Sequence, residues 1–516
     1  MQQTYRTKLI KSIEYGPYDV VTSYFNEYNE IFKKAERRLY VDIVHKKVPL
    51  NKLKSEYQRK FGINARQFNS IKSDLDGIIN SKKELLKLEL EEKEAKLTQF
   101  ESKLLKLIED KKTVFEKLSL LKMNDIMFDR VLKKYRGIKN SIHHLKRKIL
   151  KYKHKIAKIN TDLNNNIVRV CFGGKELFQK QFNLKENGFK NHSEWLSSWK
   201  AARNNQCFYL GSKDETFGNQ NCQYGKDNTL KIKTAPILEN RYGKYIVIPN
   251  VYFKYGQQNI DYCKESYIHT TEICNTKKYH NGALSYRFIK NEFGLYLHVS
   301  ADVSEAKIKT DSRIGGIGVD FNVNFVSVSF VDRFGNPIDE LRLKYHMYGK
   351  TSNQIDAKLG DLCKELCDLA LYYKVPIYIE DLCFAKAKNS IDKEPKYKRM
   401  INSFPYSKFR KFLEQRGKKY GAEVIAVNPS YTSIIGQFKF MKRYGLSSHG
   451  AAACAIARKG MKFRTEKLPS KYKKLVFINK PYINKSLNNY KMWIHLSSII
   501  KKNMSFNDRI KTLYTS

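Results

Sequence analysis

The stretch Gly315 to Asp332, GGIGVDFNVNFVSVSFVD, sets a carboxylate, Asp320, inside a run of glycine and apolar residues. The run reads as a buried strand, and a carboxylate taken out of water needs a partner. A lysine, a backbone turn or a metal ion would serve. Working outward, alternation predicts strands over 315–321, 325–332 and 338–345, joined by the FNVN turn and the DRFGNP hairpin into an antiparallel meander. SNQIDAKLGDLCKELCDLALYY then reads as a helix leading into VPIYIEDL, a strand with Glu380 near its end. The helix YSKFRKFLEQRGKKYG, the strand EVIAVNP and the helix SSHGAAACAIARKG follow. Three meandering strands and then helix-separated strands predict a layered α/β fold.

In such a sheet the strands of Asp320 and Glu380 are neighbours, and their carboxylates converge on one edge. Paired carboxylates hold magnesium, which prefers oxygen ligands and bridges phosphate oxygens. Two such ions stabilise both the attacking and the leaving oxygen of a phosphodiester. Asp381, next in the chain, points to the opposite face of a strand.

Charge indicates the partner. The chain of 516 residues has 97 Lys and Arg against 51 Asp and Glu, a net +46, which favours a polyanion, and nucleic acid above a membrane surface. No secretory signal or membrane-length apolar stretch is evident, so a cytoplasmic, nucleoid-associated protein is expected. Nine cysteines without a C-x-x-C pair suit a reducing compartment.

Toward the N-terminus the periodicity lengthens. No proline falls between Pro49 and Pro236, which permits very long helices. Leu97, Phe100, Leu104, Leu107, Val114, Leu118 and Leu121 keep a three-four spacing, and Ile138, Ile142, Leu145, Ile149, Tyr152, Ile156 and Ile159 repeat it. They predict an antiparallel coiled-coil hairpin broken near Asn124 and Gly137, either a structural arm or one gripping nucleic acid. From 167 onward the period shortens and turn residues multiply, which predicts a β-rich module ending near 310. Its segment RYGKYIVIPNVYFKYG interleaves aromatic and basic residues, as base stacking or simple barrel packing requires.

IGVDFN (317–322), IEDL (379–382), VNPSYTS (427–433) and the helix HGAAACAIARKG (449–460) resemble the three RuvC motifs of the TnpB (OrfB) proteins and of their relatives, the compact type V CRISPR effectors. The resemblance is specific over about 313–460. It implies a multidomain α+β protein: a first wedge strand in 1–16, a helical recognition lobe with the hairpin in 17–165, a wedge-like β-barrel in 166–312, a ribonuclease-H-like RuvC nuclease domain in 313–460 and a basic tail in 461–516. It implies an RNA-guided DNA endonuclease with a guide RNA and a double-stranded DNA target as partners, and Mg2+ or Mn2+ as cofactor, held at Asp320, Glu380 and the third motif position.

Two positions depart from that pattern. The family's zinc-ribbon cysteines are missing from YTSIIGQFKFMKRYGLSS, so no zinc is expected. His449 stands where the third acidic residue belongs. Imidazole ligates divalent ions less readily than oxygen does for magnesium, so His449 either keeps a ligand or proton-transfer duty or merely packs in the first turn of its helix. In the second case the chain is a nuclease-inactive, repressor-like DNA binder. A transposase or structural RNA-binding protein that needs no guide is a further alternative. Lys393, Lys396, Lys398 and Arg399 form a basic loop after Glu380, either a lid over the cleft or a solvated connector. Arg458 and Lys459 suit either the helix dipole or a phosphate.

Overall fold

The computed structural model describes residues 2–9, 18–121, 126–213, 215, 218–264, 282–322, 324–347, 349–382, 405–463, 466–479 and 488–503. The chain divides into two compact units, Met1–Ser304 and Glu305–Ser516. Both mix helices with sheets.

In the first unit, β1 (Gln2–Leu9) and α1 (Tyr18–Tyr40) precede two long helices, α2 (Ala65–Ser119) and α3 (Ile126–Asn164). A capping box starts α2: Asn64 accepts from the Gln67 backbone N–H, and the Gln67 side chain accepts from the Asn64 N–H. The two helices run antiparallel, since Phe100 meets Tyr152 while Phe115, further along, meets Tyr135, earlier in its own helix. Leu145, Ile149 and Ile159 are buried in the seam, and the basic residues between them face outward. Gly137 does not mark a break as expected. It lies inside α3 with open space around it, and one glycine costs a long helix only about 1 kcal/mol.

The strands of this unit are β2 (Gln206–Tyr209), β3 (Cys222–Tyr224), β4 (Leu230–Lys233), β5 (Tyr245–Ile248), β6 (Leu284–Asn291) and β7 (Gly294–Asp302). They form a four-stranded sheet, β1-β7-β6-β2, and a three-stranded sheet, β3-β4-β5. Among the described residues these sheets do not close into one barrel; β3, β4 and β5, at three or four residues each, are short. Helix α1 packs on the larger sheet through aromatic rings, with Phe25 stacked on Phe288 and Tyr28 on Tyr209. Beside them Lys33 bonds Glu36 at 2.9 Å and Asp74 at 2.8 Å, and Arg287 bonds Asp74 at 2.7 Å. Burial pushes the Glu36 carboxyl up to about 7 against the attraction of Lys33. Burial acts the same way on Asp74, but Lys33 and Arg287 together outweigh it and hold that carboxyl down to about 2.

The second unit is built on a five-stranded sheet in the order β10-β9-β8-β11-β12. Strands β8 (Gly315–Phe321), β9 (Phe325–Asp332) and β10 (Pro337–Lys344) are the antiparallel meander read from the alternation. Strands β11 (Ile377–Glu380) and β12 (Val424–Val427) join it in parallel on the other side of β8. One face, with Ile317, Val319, Phe321, Ile377 and Ile379, packs against α4 (Ser352–Tyr373) and α5 (Tyr406–Tyr420). The other face packs against α6 (Ser448–Gly460), giving a three-layered α/β/α unit.

Gly318 allows this second contact: a Cβ there would lie 1.9 Å from the Ala453 carbonyl oxygen of α6. Residues expected as a basic tail add α7 (Ser470–Asn479) and α8 (Asn489–Asn503) to the same layer. Met492, Trp493, Leu496, Ile499 and Ile500 recur at helical spacing and are buried there, so this part of 461–516 is core rather than tail. Among the described residues no helix is long and apolar enough to cross a membrane.

Candidate active site

Asp320 is the sixth residue of β8, and Glu380 ends β11. The two strands pair in parallel with Ile379 opposite Val319, so Asp320 and Glu380 follow side by side. Strand alternation puts Val319 and Ile379 in the core under α4 and α5, which turns both acids toward α6. Glu380 accepts a hydrogen bond from the Thr432 hydroxyl. Burial raises its carboxyl to about 7; the Thr432 bond lowers it, the neighbouring Asp320 charge raises it, and Lys459 lowers it.

His449 reaches the pair from the first turn of α6. Ser447 caps that helix by accepting from the Gly450 N–H at 3.0 Å. Glu340 of β10 anchors the cap, accepting from the Ser447 N–H at 2.9 Å and from its hydroxyl. From there His449 Nδ1 lies 2.8 Å from Asp320 Oδ2, and Asn322 donates to the same oxygen at 3.0 Å. Phe325 meets the imidazole edge to face, with ring centroids 5.0 Å apart, and Arg342 covers Phe325.

The three expected site residues therefore meet. Among the described residues no group of three or more His, Cys, Asp or Glu side chains is gathered for a metal ion. The two carboxylates do suit one: adjacent hard oxygen donors, one raised by burial and further by the charge of the other, are relieved by a divalent cation. His449 Nδ1 is engaged by Asp320 instead.

The basic residues divide. The Lys459 ammonium donates to the Ser430 carbonyl at 3.1 Å; burial lowers it, and the nearby Glu380 charge raises it. Arg458 turns inward, with Nε 2.7 Å from Glu466 and an N–H donated to the Gly335 carbonyl. Lys393, Lys396, Lys398 and Arg399 lie outside the described residues. Asp381 pairs with Arg410 at the surface, off the face of Glu380. Three supporting residues escaped the sequence reading as such: Asn322, Glu340 and, as a partner of Glu380, Thr432. Asn322 had a signal, since two residues beyond Asp320 is the same strand face. The other two reach the site through tertiary packing alone.

No protein-family model matches the chain. Over 86 residues it is 34% identical to the TnpB-like protein MJ0751 of Methanocaldococcus jannaschii. The chain has a TnpB-like relative. That match covers 16% of the chain and spans 30% of the relative's length. Of solved structures, the chain aligns with the selenomethionine-derived Cas12i1 R-loop complex before target DNA cleavage at a TM-score of 0.33 and 10% identity, over 88% of this chain and 69% of that one. The Cas12i1 R-loop complex after target DNA cleavage aligns at 0.30 and 9%, with the same coverage.

Proposed function

We propose that the chain is an RNA-guided DNA endonuclease of the TnpB and type V kind, hydrolysing phosphodiesters at a two-cation RuvC site. The observation that carries this reading is the side-by-side placement of Asp320 and Glu380 beneath the N-terminus of α6. The net charge of +46 and the TnpB-like relative support it. Asp320 and Glu380 would hold magnesium or manganese, which when bound activates water and polarises the phosphate. Thr432 fixes the Glu380 carboxylate, and Asn322 and His449 fix that of Asp320. His449 is then a positioning residue. Lys459 brings positive charge beside the acids for an incoming phosphate.

The test is cleavage by the purified protein with its co-purifying RNA, on a target flanked by randomised sequence. Products are expected with magnesium or manganese, and none from Asp320→Ala or Glu380→Ala. If no products form with the wild-type protein under either ion, the proposal fails.

One observation favours a second reading, an RNA-guided DNA binder that has lost cutting. His449 replaces the family's third acid and occupies an oxygen of Asp320. Under that reading the wild type binds DNA without cutting it, and His449→Asp creates cutting.

A further inference from the structure

Beside Glu380 the structure contains a cavity of about 170 Å³ whose walls include Ser430, Tyr431, Thr432, Lys459, Tyr490 and Trp493. That is room for a few waters at about 30 Å³ each, and less than the roughly 300 Å³ where pockets for drug-sized ligands begin. A single planar heterocycle fits this size class.

The chemistry of the walls narrows the ligand. Tyr431 and Tyr490 meet edge to face at 5.5 Å, and Trp493 is fully buried with its indole N–H donated to the Glu466 carbonyl at 2.7 Å. Tyr490 is 45% exposed, so this wall opens to solvent. Tyr431 holds a left-handed backbone, φ 66°, which is uncommon for a non-glycine residue. Two further walls lead back to the acid pair: Thr432 donates to Glu380, and Lys459 is near enough for its charge to be felt there. The Glu466 carboxylate presents no uncompensated charge, because Lys439 and Arg458 both hold it. Aromatic walls next to a cation and free of net negative charge suit a nucleotide, with its ring against those walls and its phosphate toward Lys459.

We infer that this cavity takes one unstacked nucleobase of the strand whose phosphodiester lies at Asp320 and Glu380. The inference rests on the nuclease reading for the identity of that strand and adds a base subsite to it. Drawing a base out is least costly from a single strand, and stacking on aromatic rings tolerates every base.

The test is equilibrium binding of two single-stranded DNA probes to the full-length protein, one wholly abasic and the other carrying a single 2-aminopurine among abasic residues. The base-bearing probe is expected to bind about tenfold tighter, with its emission quenched, in the range of one base stacked on aromatic side chains. Tyr490→Ala makes the two affinities equal and restores emission, while Tyr490→Phe keeps the preference. Should the alanine variant melt early, Tyr490→Leu keeps apolar packing and removes only the aromatic face. Equal affinities in the wild type, or a preference that survives both Tyr490→Ala and Tyr490→Leu, overturn the subsite. Because the readout is binding, a failed cleavage assay with the preference intact removes the nuclease and leaves the subsite standing.

Discussion

His449 and Asp320 form a hydrogen-bonded pair, Nδ1 to Oδ2 at 2.8 Å, in which the imidazole is 46% exposed and the carboxylate 13%. The ring thus acts on the acid from the solvent side, where it orients the carboxylate without sealing it. Among the described residues, removing it leaves Asn322 on that oxygen. His449→Ala is expected to lower cleavage by roughly 10- to 100-fold, as loss of an orienting partner does at metal sites, and to raise the cation concentration for half-maximal rate. His449→Asn, which offers an N–H donor, should restore the cation dependence while the maximal rate stays low. Initial rates against manganese concentration separate the two effects. A His449→Ala protein with unchanged rate and unchanged cation dependence would remove His449 from the site.

Gly318 lets α6 descend onto β8, and α6 carries His449. A methyl group at that position would strike a backbone carbonyl, that of Ala453, which no side-chain rotation relieves. Gly318→Ala is therefore expected to destabilise the second unit by about 1–3 kcal/mol, the range of overpacking in a tight core, and to lower cleavage by moving His449 off Asp320. Urea unfolding gives the first quantity and a cleavage assay the second. A neutral Gly318→Ala would mean that α6 is free to rise.

Much of this site was legible because its logic is local. Alternation fixed the faces of β8 and β11, so the convergence of Asp320 and Glu380 followed once the strands were taken as neighbours. The cap of α6 is Ser447, two residues before His449 and of a type that N-caps favour. The pairing of His449 with Asp320 was not legible, since it depends on how deeply an alanine-rich helix settles over Gly318. Glu340 was hidden for a like reason: it lies on β10 and reaches Ser447 only across the finished sheet. Gly137 misled because a glycine that breaks a short helix is tolerated where a 39-residue helix has a partner along its length. The apolar spacing of 492–500 was present in the sequence but was outweighed by the surrounding lysines.

The buried cluster of Lys33, Glu36, Asp74 and Arg287 predicts a pH dependence of stability in the first unit. Burial raises Glu36 to about 7 from the ordinary 4.5, so between those values the folded protein holds a proton that the unfolded chain has released. Stability from this group is full below about 4.5 and declines as the pH rises toward 7. Asp74 acts in the other direction: held at about 2 against an ordinary 3.8, it contributes stability above 3.8 that is lost as the pH falls toward 2. Glu36→Gln should flatten the decline, so that the variant loses less stability than the wild type between about pH 5 and pH 7.5. Urea midpoints at the two pH values measure it, and parallel slopes for the two proteins would contradict the raised Glu36.

The hairpin offers two leucines five residues apart with opposite surroundings. Leu145 is 7% exposed in the seam between α2 and α3, and Leu150 is 59% exposed on the outer side. A seam covered by one partner helix relaxes more easily than a closed core, so Leu145→Ala should fall at the lower end of large-to-small costs, about 2 kcal/mol. The loss acts on local opening, and hydrogen exchange in 97–121 and 138–159 should accelerate by roughly 30-fold while the strands of 284–302 keep their protection. Leu150→Ala removes the same atoms from water-facing surface and should leave exchange unchanged. Equal acceleration by the two variants would mean that the seam does not hold the helices together, and that the outer apolar residues are covered by something else.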